Sequence, residues 1–150
     1  MSEPTVNSAN QIIPFGRFVG RKSTYARDPR ENVSVATLID ATTGYEILGV
    51  TVQSHATQKV GNFAAAKDGY GFGTVMNVLK NIGTYKGIWV ETVDADLVIG
   101  DTPYIAVAAG NEGKITKASS GNLAAGSNIK IISASEAVFG KYIALCEIRL

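Results

Sequence analysis

The final ten residues, KYIALCEIRL, alternate along the chain. Tyr142, Ala144, Cys146, Ile148 and Leu150 fall on one face of an extended strand, and Ile143, Leu145, Glu147 and Arg149 on the other. Runs rich in β-branched residues recur upstream as VSVATLID (33–40), YEILGVTVQS (45–54), TVMNVLK (74–80), IWVETVD (88–94), PYIAVAA (103–109) and IKIIS (129–133). Turn signals separate them. Thr42-Thr43-Gly44 predicts a hairpin between the first two runs. Gly100-Asp101 and Asn111-Glu112-Gly113 predict tight turns, with KITKAS (114–119) pairing back on the preceding run. Ser133–Glu136 fits a capping box, so one short helical turn ending at Gly140 is expected there. Residues 54–74 are ambiguous. Val60, Phe63 and Ala64 have helical spacing, but Gly61, Gly69, Gly71 and Gly73 favour a loop or a bulged strand.

Residues 1–11 are polar and contain Pro4, which predicts an extended N-terminal arm ahead of one β-rich domain over 12–150. Short strands, turn signals about every ten residues and no sustained helical period predict an all-β fold, either a small barrel or a jelly-roll-like sandwich. No βαβ unit of about 30 residues is present, which disfavours a dinucleotide-binding fold.

Composition narrows the classes further. The 150 residues are 45% hydrophobic and 18% charged, as expected for a chain that buries one core. The net charge of +1 gives no global attraction to nucleic acid or membrane. Cys146 is the sole cysteine, so no internal disulfide is available. The N-terminus lacks the basic and apolar regions of a signal peptide, and no run approaches the ~18 apolar residues of a membrane span.

Catalytic and metal-binding chemistry is sparse. His55 is the only histidine and lies in polar QSHATQ, without a G-x-S-x-G elbow. Cys146 sits in an alternating strand, where a buried inert thiol is expected. GRFVGRKS (16–23) lacks the spacing of a phosphate-binding loop, and GYGFG (69–73) is not G-x-G-x-x-G. Glu91, Asp94, Asp96 and Asp101 form an acidic group that reads as a solvated turn, a surface for a basic partner or a metal site, with Asp94, Asp96 or Glu91 as general acid and base if the chain is a small hydrolase. Neither a metal nor a cofactor is expected.

The strongest charge feature is basic. Arg17, Arg21, Lys22, Arg27 and Arg30 are five of the fourteen Lys and Arg residues, with Phe15, Phe18 and Tyr25 among them. The segment reads as a solvated strand and loop, as a clasp onto an acidic protein neighbour, or as a nucleic-acid contact. Phe15, Phe18 and Tyr25 would be anchors, and Arg17, Arg21, Lys22, Arg27 and Arg30 charge partners. Trp89, Tyr104 and Tyr142 offer an alternative surface, an aromatic platform for a receptor- or carbohydrate-binding module of a head fibre or tail.

One longer pattern is distinctive. Gly73, Gly87-Ile88-Trp89-Val90, Gly100-Asp101 and Gly113 follow one another in GTVMNVLKNIGTYKGIWVETVDADLVIGDTPYIAVAAGNEGKIT, with Pro14-Phe15-Gly16 and Gly49-Val50 upstream. This order resembles the structural cement, or capsid decoration, proteins of tailed phages, and is sharpest over 73–116. The resemblance implies a non-enzymatic β-protein of the virion. It implies binding to the major capsid protein on the shell exterior after expansion, bridging neighbouring subunits and resisting internal DNA pressure; a homo-oligomer, dimer or trimer, made in the host cytoplasm is expected. From the net charge and the lack of a membrane span, neither a membrane nor a direct nucleic-acid contact is expected.

Overall fold

The computed structural model describes residues 2–7, 12–22, 34–52, 69–70, 75–81 and 87–150. Every element among them is a strand. The first seven are β1 (Ser2–Asn7), β2 (Ile13–Pro14), β3 (Phe18–Lys22), β4 (Ser34–Leu38), β5 (Tyr45–Val52), β6 (Gly69–Tyr70) and β7 (Val75–Leu79). The rest are β8 (Ile88–Thr92), β9 (Tyr104–Ile105), β10 (Ile115–Thr116), β11 (Leu123–Ala124), β12 (Ile129–Ile131), β13 (Glu136–Val138) and β14 (Lys141–Ile148). The fold is all-β, as the alternating pattern predicted.

β1, β4, β3, β5 and β7 close into a barrel in that order. A second sheet runs β11-β9-β10-β8-β14-β12, and β13 pairs with the start of β14. β2 and β6 form a small ribbon, in which Phe15 meets the Tyr70 ring edge-on at 5.1 Å. The two sheets are joined again at the C-terminus, where Leu150 N–H donates to the Lys80 carbonyl at 2.9 Å.

β3 explains how the sheets fit. Phe18, Val19 and Gly20 are all buried, so the first three residues of the strand have no solvent face. Val19 points into the barrel with Leu38, Leu48, Met76 and Val78. Phe18 points into a second core with Val50, Val90, Ile105, Ile115 and Ile148. A strand apolar on both faces belongs inside a layered structure. β3 and β5 are therefore the shared wall between two cores.

β5 meets the same demand through a bulge. Val19 pairs with Gly49 and Gly20 with Ile47, leaving Leu48 as the extra residue. The bulge breaks the alternation, so Leu48 enters the barrel core while Val50, two residues on, enters the other. Gly49 allows the chain to close on β7. A Cβ there would lie 2.4 Å from the Leu79 carbonyl oxygen.

Three local expectations change. The predicted hairpin across Gly44 does not form, because β3 lies between β4 and β5 and pairs with both. Gly44 still turns the chain, at φ 81°. The helical turn expected over 133–140 is instead β13, followed by the turn Phe139-Gly140, with φ 48° and 77°. The Ser133 hydroxyl that suggested a cap, and its neighbour Ser135, act across the fold. Ser135 Oγ donates to the Ala95 carbonyl at 2.7 Å, and Ser133 Oγ accepts from Leu145 N–H at 2.8 Å. Ser2–Asn7, expected as an arm, is β1, parallel to β4 and antiparallel to β7 in the barrel. Of the ambiguous segment 54–74, only Gly69–Tyr70 is described, as a strand.

Gly49→Ala should destabilise the protein by about 1–3 kcal/mol, the usual cost of forcing a methyl into a closed site. Urea unfolding followed by Trp89 fluorescence would measure it, and wild-type stability would show that the barrel tolerates a side chain there.

Candidate functional site

The best-built polar site lies where the two sheets meet. Arg17 immediately precedes β3, and Glu91 occupies β8 between the buried Val90 and Thr92. Arg17 Nε donates to Glu91 Oε2 at 2.6 Å, with both side chains almost fully buried. Arg17 Nη1 donates to the carbonyls of Gly110 and Glu112 at 3.2 and 3.3 Å. Lys141 Nζ, from β14, stands 3.2 Å from Glu91 Oε1, near enough for charge attraction though not aligned for a hydrogen bond.

Backbone bonds hold the same junction. Gly16 N–H donates to the Thr51 carbonyl at 2.8 Å, and the Gly16 carbonyl accepts from Glu91 N–H at 2.9 Å. Phe18 N–H donates to the Gly113 carbonyl at 2.8 Å. Gly113 has φ 84°, and a Cβ on it would lie 2.3 Å from the Phe18 carbonyl oxygen. Gly16 to Phe18 thus contacts the barrel wall, β8 and the 110–113 turn at once.

The electrostatics are governed by burial. Desolvation pushes the Glu91 carboxyl upward, but the Arg17 hydrogen bond and the charges of Arg17 and Lys141 outweigh it and hold Glu91 below the ordinary glutamate range. Lys114 is lowered by its own burial and then by the Arg17 charge. The site is an ionic joint in which Arg17 and Lys141 hold the Glu91 carboxylate in its charged form.

The predicted contact residues separate. Arg17 and Phe18 lie inside the fold, and Phe15 is half-buried. Arg21 pairs with Glu46 at 2.5 Å on the barrel surface, and Lys22 is exposed at the end of β3. Tyr25, Arg27 and Arg30 lie outside the described residues, as does His55. The acidic group also divides. Glu91 belongs to the joint, Lys117 binds Asp96 at 2.7 Å, Lys117 N–H donates to Asp94 at 2.7 Å, and Asp101 accepts from Val98 N–H at 2.9 Å. Among the described residues, no cluster of three or more His, Cys, Asp or Glu could hold a metal. Cys146 is buried, which pushes its thiol up to about 12.

The aromatic platform does not assemble. Leu145 pairs with Trp89 and Tyr142 with Thr92 across the β8–β14 ladder, so Trp89 and Tyr142 point to opposite faces. Sequence reasoning placed Arg17 in the basic segment and Glu91 in the acidic turn, 74 residues apart, and missed their pairing. The available signal was a lone charge inside an apolar run at each position.

Comparison with known proteins decides the family. A family model described as structural cement protein (E217 gp24/Pam3 gp6) matches residues 2–150. The chain belongs to the structural cement protein family. No curated protein matches it. A chain from the capsid of Myoviridae phage XM1 is similar in fold, with a TM-score of 0.62 and 18% identity, over 99% of this chain and 82% of that one. The cement protein is a structural component of a phage capsid and of the virion.

The structure gives two motif glycines of the resemblance a packing reason. Gly113 admits Phe18, and a Cβ on Gly87 would lie 2.4 Å from Leu145 Cγ. Gly73 lies outside the described residues.

Glu91→Ala should cost about 3–5 kcal/mol, because it strands the buried Arg17 guanidinium. The pH dependence follows from the lowered folded pKa. Wild-type stability from this group is fully present above the unfolded glutamate value of about 4.3 and is lost as pH falls below it through the folded value. Urea midpoints between pH 7 and 3 should therefore fall less steeply at the acid end in Glu91→Gln than in wild type. Parallel acid slopes would show that Glu91 is not held ionised by the fold.

Proposed function

We propose that this cement protein binds the outer surface of the expanded shell and bridges neighbouring major capsid subunits, resisting internal DNA pressure without catalysis. The family match over residues 2–150 carries the reading. The architecture supports it physically. A brace must transmit force without yielding, and here the β3–β5 wall serves two cores while a buried ion pair fastens the sheets.

Each contact needs only modest strength. A dimer or trimer engaging several subunits gains effective concentration at every further contact. Such a protein, made in the host cytoplasm, would bind assembled shell far better than free capsid subunits. Arg21, Lys22 and the following Tyr25, Arg27 and Arg30 remain the charge and anchor candidates for an acidic subunit surface. Phe139, fully exposed at the β13–β14 turn, is a further apolar one.

Cryo-electron microscopy of shells with and without the protein tests the placement. Exterior density spanning adjacent subunits, lost on omission, is the expected result. Density confined to a tail or fibre would move the function to attachment. The double variant Arg21→Ala/Lys22→Ala should weaken co-sedimentation with shells about three- to tenfold and flatten its salt dependence, since exposed pairs contribute ~0.2–1 kcal/mol each. Unchanged binding would remove the end of β3 from the contact.

A further inference from the structure

The second sheet turns one face inward and leaves the other open. Val90, Ile115, Ile131, Ala144 and Cys146 belong to the core. Side chains alternate across a sheet, so the residues next to them in sequence, Trp89, Glu91, Lys114, Lys130, Ile132, Ile143 and Leu145, share the outer face. The ladder sets Ile143 opposite Glu91 and Leu145 opposite Trp89. Leu145 and Ile132 fill the space where a Cβ on Gly87 would stand. An apolar stripe thus runs from the end of β12 across β14 to β8. Trp89 in it is 45% exposed, and Ile132, Ile143 and Leu145 are half-buried. An open cleft of about 410 Å³ lies at the β8 end, with Trp89, Ile143 and Lys141 on the sheet side and Phe15 and Val52 beside them.

Lysines border the stripe on both sides. Lys130 lies on β12, opposite Glu147. Lys141 begins β14, and Lys114 immediately precedes β10. Ile115 pairs with Thr92, so Lys114 falls beside Glu91. Two acids of this face already have arginine partners, Glu91 with Arg17 at 2.6 Å and Glu147 with Arg149 at 2.5 Å. Lys141 shares Glu91 with Arg17, and its side chain is still 53% exposed. Lys114 and Lys130 form no ion pair among the described residues. Glu136, exposed on β13 opposite Ile143, is the remaining acid. Three lysines therefore stand against one uncommitted carboxylate. The excess is felt at Lys114, whose pKa is lowered by its own burial and then by the charge of Arg17.

An apolar centre with a charged border is the anatomy of a protein interface, and an exposed tryptophan is a frequent anchor in one. The charge selects the occupant. A second copy meeting this face about a two-fold axis would present the same excess of lysines, and opposed surfaces of like charge repel. A surface whose apolar side chains are ringed by Asp or Glu would cover Trp89, enter the cleft and give each lysine a partner.

We propose that the outer face of the second sheet docks on an acidic patch of a capsid subunit, which places an apolar side chain in the cleft beside Trp89 and carboxylates on Lys114, Lys130 and Lys141. This rests on the cement reading and names the chemistry of one of its contacts.

The test uses expanded, DNA-free shells assembled from the phage's major capsid protein and lacking this protein, so that phosphate cannot be the partner of the lysines. Hydroxyl-radical footprinting compares free and shell-bound cement protein. Oxidation of Trp89, the one tryptophan of the chain, should fall several-fold on binding. Trp89→Ala should weaken co-sedimentation about tenfold, as loss of an interface anchor does. The triple variant Lys114→Gln/Lys130→Gln/Lys141→Gln should weaken it about fivefold or more and flatten its salt dependence. Thermal melts confirm that both variants are folded, and the footprint reads wild type without any substitution. Binding with Trp89 oxidised as in free protein would overturn this docking face and leave the cement reading standing. Protection of Trp89, with the triple variant binding as tightly as wild type, would overturn the acidic partner. Protection already present in concentrated free protein and lost on dilution would give the face to a second copy and overturn the capsid as its occupant. Failure of wild type to bind shells at all would overturn the cement reading and this contact with it.

Discussion

The Arg17–Glu91 pair is the constraint around which the two sheets are arranged. Burying either charge alone would cost several kcal/mol, so each fixes the position of the other. Arg17 leads into the shared wall, and Glu91 sits in β8 at the centre of the second sheet. Their bond therefore sets how the barrel meets that sheet. The guanidinium also holds the Gly110 and Glu112 carbonyls, which positions Gly113 over Phe18. Lys141 brings β14 to the same carboxylate.

The shared wall follows from this joint. A strand buried on both faces needs a core on each; Val19 faces the barrel core and Phe18 the second one, while β4 and β5 pair with the two edges of β3. The bulge at Leu48 lets β5 supply side chains to both cores from consecutive stretches. Loss of packing in either core would be felt in the other, because the same backbone lines each. In the proposed bracing role, this is a physical route by which tension applied to one sheet reaches the other.

The interior accounts for rigidity, and the surface must account for binding. Among the described residues, the large apolar side chains left to solvent are Ile12, Trp89, Val93, Val98, Ile99, Phe139 and Tyr142. Folding alone gives no reason to expose Phe139 completely at a left-handed turn position. The charged segment that stood out in the sequence is partly an internal structure. Its first arginine is a joint and its second aromatic a core residue.

Much of this protein is written locally. The alternation in KYIALCEIRL gives a strand whose Ala144, Cys146 and Ile148 are buried, because a two-residue period can be satisfied by burying one face. The turns at Gly100-Asp101 and Asn111–Gly113 are likewise legible, since they depend on neighbouring residues alone. The ordered glycines and β-runs also carried the family resemblance. Strand neighbours were decided elsewhere. Placing β3 between β4 and β5, and folding Ser2–Asn7 into the barrel, depends on which distant edges are open. Ser133 to Glu136 has the residues of a helix cap, but the hydroxyls found better partners on other segments. Arg17 and Glu91 looked like members of two opposite surface clusters, because a sequence shows charge but not desolvation. Only the packed structure removes water from both and makes their attraction a determinant of the fold.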